Sequence, residues 1–194
     1  MGATPKQDII LAGVGGQGIL SIAFVIDNAA LKEGFNVKQA EVHGMAQRGG
    51  AVQSHLRLSK DRIWSDLIPR GEADMILSVE PLEALRYLDF LRPGGKVITS
   101  STPFVNIPDY PDKEHLIGRL REIPGSIIVD SEALAKEAGT SKAQNTVMLG
   151  AAAKDLVVNK DSLLEFIKVL FAPRGDKVLE ANIRAFELGR KAAG

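Results

Sequence analysis

The sequence predicts an α/β chain: a Rossmann-like, doubly wound, mostly parallel sheet with one antiparallel strand and C-terminal helices. Three observations point there. Residues 9–20 pass from an apolar run of strand length into a glycine-rich turn and at once into a helical pattern. Strand and helix patterns then alternate through Ser131 to Ala138. From Asn145 onward the pattern is helical only.

Each element has its own signal. After the first strand, residues 17–33 read as a helix that is apolar almost all round, with Ile19, Leu20, Ile22, Ala23, Val25 and Ile26 among its residues. Such a helix is usually covered on more than one side. Gly34 stops it, and Asn36 to Val42 reads as the second strand. Glycines make residues 43–50 a loop, although the loop carries His43, Gln47 and Arg48. Residues 51–58 resume as a strand, and Ile63 to Ile68 is expected to return beside it as a hairpin. That hairpin breaks strict alternation and supplies the antiparallel strand. Ala73 to Val79 is an apolar strand. Glu80-Pro81 opens a helix to about Leu91, since proline suits the first helical position. Pro93-Gly94-Gly95 turns the chain into a strand from Lys96 to Ser100. Residues 101–112 read as a loop, Glu114 to Glu122 as a helix, and Ile127 to Val129 as the last strand. Helices follow over Ser131–Ala138, Asn145–Val157, around Leu163–Phe171 and over Val178–Lys191. In the last, Glu180–Arg184 and Glu187–Lys191 are spaced to pair across one turn.

Composition narrows the functional classes. A chain of 194 residues, 45% hydrophobic and 25% charged, suits one domain spanning 1–194. Net charge is zero, so nothing draws the chain to nucleic acid or to an acidic membrane face. No apolar run approaches the roughly 20 residues needed to span a bilayer. Met1 to Gln7 lacks the apolar core of a signal peptide, and the expected location is the cytoplasm. The absence of cysteine excludes disulfides, zinc–thiolate sites and thiolate-held iron–sulfur clusters within this chain.

Gly13, Gly15 and Gly18 fit G-x-G-x-x-G, and Gly16 is a fourth glycine. Two readings stay open. The turn and the following helix N-terminus receive an anion, or the glycines only let the helix pack tightly on the sheet. A dinucleotide enzyme needs an acidic residue at the end of the second strand. Glu33 falls on the helix and Glu41 comes late, just before His43. The Gly-Lys-Ser/Thr of a P-loop and the G-x-S-x-G elbow are both missing. His43, His55 and His115 offer neither a base–orienter pair nor metal-ligand spacing, so no catalytic and no metal-binding residue is expected.

Two motifs together suggest a family. Gly13-Val-Gly-Gly-Gln-Gly-Ile-Leu20, followed by Glu41-Val-His-Gly-Met-Ala-Gln-Arg-Gly-Gly50, resembles the gamma-type domain of 2-oxoacid:ferredoxin oxidoreductases, the indolepyruvate-type beta subunit most closely. The likeness continues through Ala73–Leu77, Glu80–Leu85, Gly94-Gly95 and Asn145–Ala151. The resemblance implies a non-catalytic subunit. A catalytic alpha-type partner would hold thiamine diphosphate, magnesium and iron–sulfur clusters, decarboxylate a 2-oxoacid and reduce ferredoxin. Coenzyme A would take the acyl group, and access for it is associated with this type of domain. A stand-alone Rossmann-like nucleotide-binding enzyme and a pure assembly subunit are the alternatives.

The loops after the first and second strands both fall at the carboxyl edge of the sheet, where ligands of such folds bind. The candidate binding residues are Gly13, Gly15, Gly16, Gln17 and Gly18 from the first loop, His43, Gln47, Arg48 and Gly49 from the second, and Asn145. Arg48 either clamps a phosphate or ties the loop to Glu41. His43 reads first as a hydrogen-bonded loop residue, Gln47 as a loop cap, and Asn145 as the N-cap of the alanine-rich helix. Met45 and Trp64 read as core residues with a partner contact as the alternative. Lys142 and Arg174 read as solvated. The apolar first helix and the 163–171 helix together suggest a homo-oligomer when the chain is isolated.

Overall fold

The structure, a computed structural model, describes residues 4–43 and 49–194, with the backbone alone at His43. Among the described residues, six strands form one sheet in the order β2-β3-β1-β4-β5-β6. They are β1 (Lys6–Val14), β2 (Asn36–His43), β3 (Ala51–Ser59), β4 (Ala73–Ser78), β5 (Leu91–Ser100) and β6 (Ile127–Val129). The α-helices among the described residues are α1 (Leu20–Lys32), α2 (Pro81–Arg86), α3 (Lys113–Arg121), α4 (Ser131–Ala138), α5 (Gln144–Ala152), α6 (Lys160–Phe171) and α7 (Asp176–Ala192).

The mixed α/β sheet with C-terminal helices is the architecture expected. β3 is its antiparallel strand, inserted between β1 and β2 and antiparallel to both. The other neighbouring pairs, β1–β4, β4–β5 and β5–β6, are parallel. β1 shows why two layers of helices are needed. Ile9 and Leu11 are fully buried in the core under α1 and the C-terminal helices, and Ile10 in the core under α2 and α3. A central strand buried on both faces reads as a continuous apolar run.

Four local expectations are corrected. Residues 63–68 form no strand: Arg57 of β3 donates to the Ser65 and Leu67 carbonyls, and the Ile68 N–H donates to His55 Nδ1. Side chains of β3 thus take the backbone groups that a neighbouring strand would have used. The helix opened by Pro81 ends at Arg86, followed by a 3₁₀ turn over Leu88–Phe90. Pro93-Gly94-Gly95 lies inside β5 as an irregularity, because Leu91 pairs with Ala73 while Lys96 pairs with Met75. On α7, Glu187 pairs with Lys160 of α6 and with Arg190 rather than with Lys191.

Helices α5 and α7 touch backbone to backbone. A Cβ on Gly150 would stand 2.0 Å from the Phe186 carbonyl oxygen, and one on Gly189 would stand 1.9 Å from that of Val147. The same contact buries Phe186 completely.

Candidate functional site

The carboxyl edge of the sheet gathers the glycine turn, the end of the second loop, residues 101–112 and the start of α5. The turn is held from several sides. Gly15 N–H donates to Gly50 O at 2.8 Å, and Gly49 N–H donates back to Gly15 O at 3.1 Å. The two loops therefore meet at Gly15 and Gly49–Gly50, as expected of loops at one edge. Val14 N–H donates to Gln17 Oε1 at 2.7 Å, so the Gln17 side chain is turned back onto the strand. Asn145 Nδ2 lies 2.8 Å from Gln17 O, 2.9 Å from Gly18 O and 3.2 Å from Ser21 Oγ.

Asn145 is therefore not an N-cap. It lies inside α5, whose cap position is Ala143, and its amide crosses to the glycine turn instead. The glycines divide by role. A Cβ at Gly13 would stand 2.7 Å from Val79 and 2.8 Å from Ile19, so this position serves close packing. Gly16 and Gly18 have φ of +106° and +70°, a region L side chains rarely adopt. The first α1 amides are partly engaged, since Ser21 N–H donates to Gly18 O and Ile22 N–H to Ile19 O.

Gln47 and Arg48, with Met45, lie outside the described residues, and of His43 only the strand position is described. His55 is buried at 3% exposure on β3, edge-on to Phe90. Burial, and then the Arg57 cation, holds its imidazole below the usual range. His115 sits on α3, capped by Asp112. Trp64 is 77% exposed under the Arg62 guanidinium and is not a core residue. Arg174 stacks on Phe171.

A second wall rises from β4. Glu80 is fully buried and caps α2 by accepting from Glu83 N–H at 2.8 Å. Its other oxygen accepts from Phe104 N–H and from the Tyr110 hydroxyl. Burial, followed by that carboxylate, pushes the Tyr110 phenol well above its usual range. Asn106 Nδ2 donates to Gly49 O at 2.6 Å. The 101–112 segment is thus latched to the start of α2 at one point and to the second loop at another.

Between these walls lies a cavity of about 340 Å³, lined by Gly16, Gln17, Thr102, Phe104, Lys142 and Asn145, among others. Lys142 is the residue the sequence did not mark for function. Its signal was weak: a lone lysine three positions before Asn145 that read as solvated. The cavity offers an ammonium, backbone amides of a glycine turn and an aromatic edge, a set that suits a phosphorylated ligand. Among the described residues, no group of three or more His, Asp or Glu could hold a metal ion.

The sequence pattern of the pyruvate ferredoxin/flavodoxin oxidoreductase family matches residues 8–192. The chain belongs to this family. It is 38% identical to the indolepyruvate oxidoreductase subunit IorB of Thermococcus kodakarensis, over 97% of this chain and 96% of that one. It is 39% identical to the subunit of the same name from Pyrococcus horikoshii, with the same coverage. In fold it matches the 2-oxoglutarate:ferredoxin oxidoreductase of Magnetococcus marinus with a TM-score of 0.77 at 22% identity. That match takes in 98% of this chain but only 31% of the Magnetococcus chain. Family membership and the subunit names of the relatives agree with the expectation of a non-catalytic subunit of a 2-oxoacid:ferredoxin oxidoreductase. No described helix is long and apolar enough to cross a membrane.

Proposed function

We propose that this chain is the non-catalytic subunit of an indolepyruvate-type 2-oxoacid:ferredoxin oxidoreductase, and that its carboxyl-edge cleft receives the phosphate end of coenzyme A. The observation that carries the reading is the cleft itself. It lies at the β1–β4 crevice where open α/β sheets bind ligands, and the glycine turn, Gln17, Asn145 and Lys142 line it. Chemistry at thiamine diphosphate, magnesium and iron–sulfur clusters belongs to a catalytic partner. This chain has no cysteine to supply cluster thiolates. Its cysteine-free sequence also suits the reducing cytoplasm.

The binding residues proposed are Gly16 and Lys142, which line the cleft, Gly18 of the same glycine turn, and Arg48 of the second loop. Gln17 and Asn145 hold the turn in shape. Gln47 accompanies Arg48 in that loop, which follows His43 at the end of β2 and whose Gly49 is bonded to the turn.

The test uses the complex reconstituted with the catalytic subunit. Hydrogen bonds to charged groups are worth roughly 1.5–3 kcal/mol, and every 1.4 kcal/mol is about tenfold in affinity. Arg48→Ala is expected to raise the apparent constant for coenzyme A by roughly 10- to 100-fold. Lys142→Ala, a point charge without a fork, is expected to raise it by about tenfold. The 2-oxoacid constant is expected to stay unchanged in both. An unchanged coenzyme A constant with a lowered melting temperature for Arg48→Ala would make the loop a structural tie instead.

A further inference from the structure

The 101–112 segment contains no helix or strand, yet it is tied to the buried framework at several points. Thr102 N–H donates to Ser100 Oγ at 3.0 Å, and Phe104 N–H to Glu80 Oε1 at 3.3 Å. The Tyr110 hydroxyl donates to the same Glu80 oxygen, and Asn106 Nδ2 donates to Gly49 O. Pro103 fixes its own φ and pushes Thr102 towards an extended conformation. Glu80 has no exposed surface, so its carboxylate is held by donors that stand in for water.

This bracing holds in place an aromatic side chain that the fold does not bury. Phe104 is 42% exposed, although a phenylalanine gains much by leaving water. Among the described residues that line the cleft it is the one aromatic, and Lys142 and Gly16 line the same space. An aromatic residue fixed at its backbone, left wet at its surface and set in one cavity with an ammonium suits a ligand in which a flat ring is joined to phosphate. Unstacked nucleobases are bound on such side chains, and every base has a face to offer.

The glycine turn also has a second side. Gly16 lines an apolar dent of about 220 Å³ walled by Val14, Ile19, Leu20 and Val52. Among the described residues lining this dent, none is charged or aromatic. Coenzyme A has the same two halves. One end is a purine nucleotide with its phosphates, and the other is an uncharged, mostly aliphatic arm that ends in the thiol. Across the turn the surfaces run in one order: aromatic residue and ammonium, glycines, aliphatic side chains. The reverse pose would leave the purine without an aromatic partner and the ammonium beside an uncharged arm.

We propose that Phe104 is the nucleobase platform of the cleft. The purine of coenzyme A stacks on it, the phosphates lie between Lys142 and the glycine turn, and the pantetheine arm leaves over Gly16 into the apolar dent. This rests on the reading of the cleft as the coenzyme A site. What it adds is the residue that recognises the purine and the direction in which the ligand lies.

The experiment uses the complex reconstituted with the catalytic subunit and two acyl acceptors, coenzyme A and phosphopantetheine, which lacks the purine nucleotide. Phe104→Ala is expected to shrink the preference for coenzyme A over phosphopantetheine by roughly 5- to 100-fold, the effect of one base–aromatic stack. Phe104→Trp is expected to keep the preference. Leu20→Asp puts a charge in the path of the arm and is expected to raise the constants for both acceptors alike. A second readout needs no turnover. The chain has one tryptophan, so Trp64→Phe combined with Phe104→Trp leaves a single indole in it, at the platform. The emission which that indole adds to the complex should be quenched by coenzyme A and not by phosphopantetheine. A folded Phe104→Ala chain with the wild-type preference would overturn the proposal, and so would equal losses for the two acceptors. A Leu20→Asp chain that loses coenzyme A selectively would reverse the direction of the ligand and overturn it too. Should Phe104→Ala not fold, the quenching decides alone. If Arg48→Ala and Lys142→Ala also leave the coenzyme A constant unchanged, the reading of the cleft itself fails, and the proposal with it.

Discussion

Asp27 is a carboxyl that burial moves far from its ordinary state. Desolvation raises its carboxyl from the usual carboxylate range to about 7. The folded chain therefore holds this proton more tightly than the unfolded chain does. Its contribution to stability is most favourable at acid pH, worsens as pH rises through about 4 to 7, and is flat above that window. Asp27→Asn is expected to stabilise the isolated chain by about 4 kcal/mol at pH 8 and by almost nothing at pH 4. Urea melts of both proteins at pH 4, 6 and 8 measure it. Equal differences at all three would mean that the carboxyl ionises at its ordinary pH. Nothing local in the sequence announces this residue. An aspartate among apolar neighbours is common at a helix surface, and only the tertiary packing of α1 removes its water. Gln17 and Asn145 show the same limit. Their residue types mark a turn and a helix start, but the bond from Asn145 to Gln17 O joins positions 128 apart in sequence.

Among the elements, α5 and α7 carry the sharpest expectation. Their glycines let the two backbones approach more closely than any side chain permits. Gly150→Ala is expected to cost at least about 3 kcal/mol, because the obstruction is a carbonyl on another helix and not the end of a flexible side chain. Thermal melts decide it. A loss below about 1 kcal/mol would show that the helices separate easily. Elements with a periodic pattern were legible: β6 and α4 match the expected residues Ile127–Val129 and Ser131–Ala138. The segment 63–68 was not, although Ile63, Trp64 and Ile68 are residues that favour strands. Strand propensity says nothing about Arg57 and His55, which occupy its backbone groups from the neighbouring strand. The carboxyl-edge position of the glycine turn was legible from the strand–turn–helix order. The far wall of the cleft was not, because residues 101–112 are placed by Glu80 and by Asn106, contacts without any local signature.

For the whole molecule, the missing thiolates set the expectation. The purified chain alone should carry no iron and should fail to oxidise any 2-oxoacid when thiamine diphosphate and magnesium are supplied. Stoichiometric iron, or turnover by the single chain, would show that the subunit reading is wrong. The placement of β3 has a different consequence, for the order in which the chain can fold. β1 and β2 run the same way with one strand's width between them, and β3 fills that gap from later in the sequence. A nascent chain ending at residue 50 would hold two strands about 10 Å apart with nothing to join their facing edges. Commitment to the native sheet has to wait for β3, which brings Ser59 back to Lys6 at the start of the domain. Such distant pairing is slow. Weakening Leu56 should therefore retard refolding, whereas weakening α7 should chiefly speed unfolding, and stopped-flow measurements on the two variants would expose the opposite pattern if the helices nucleate first. Until β3 docks, β1 behind the glycine turn and β2 at the sheet's edge are the strands left open to pairing with the wrong chain.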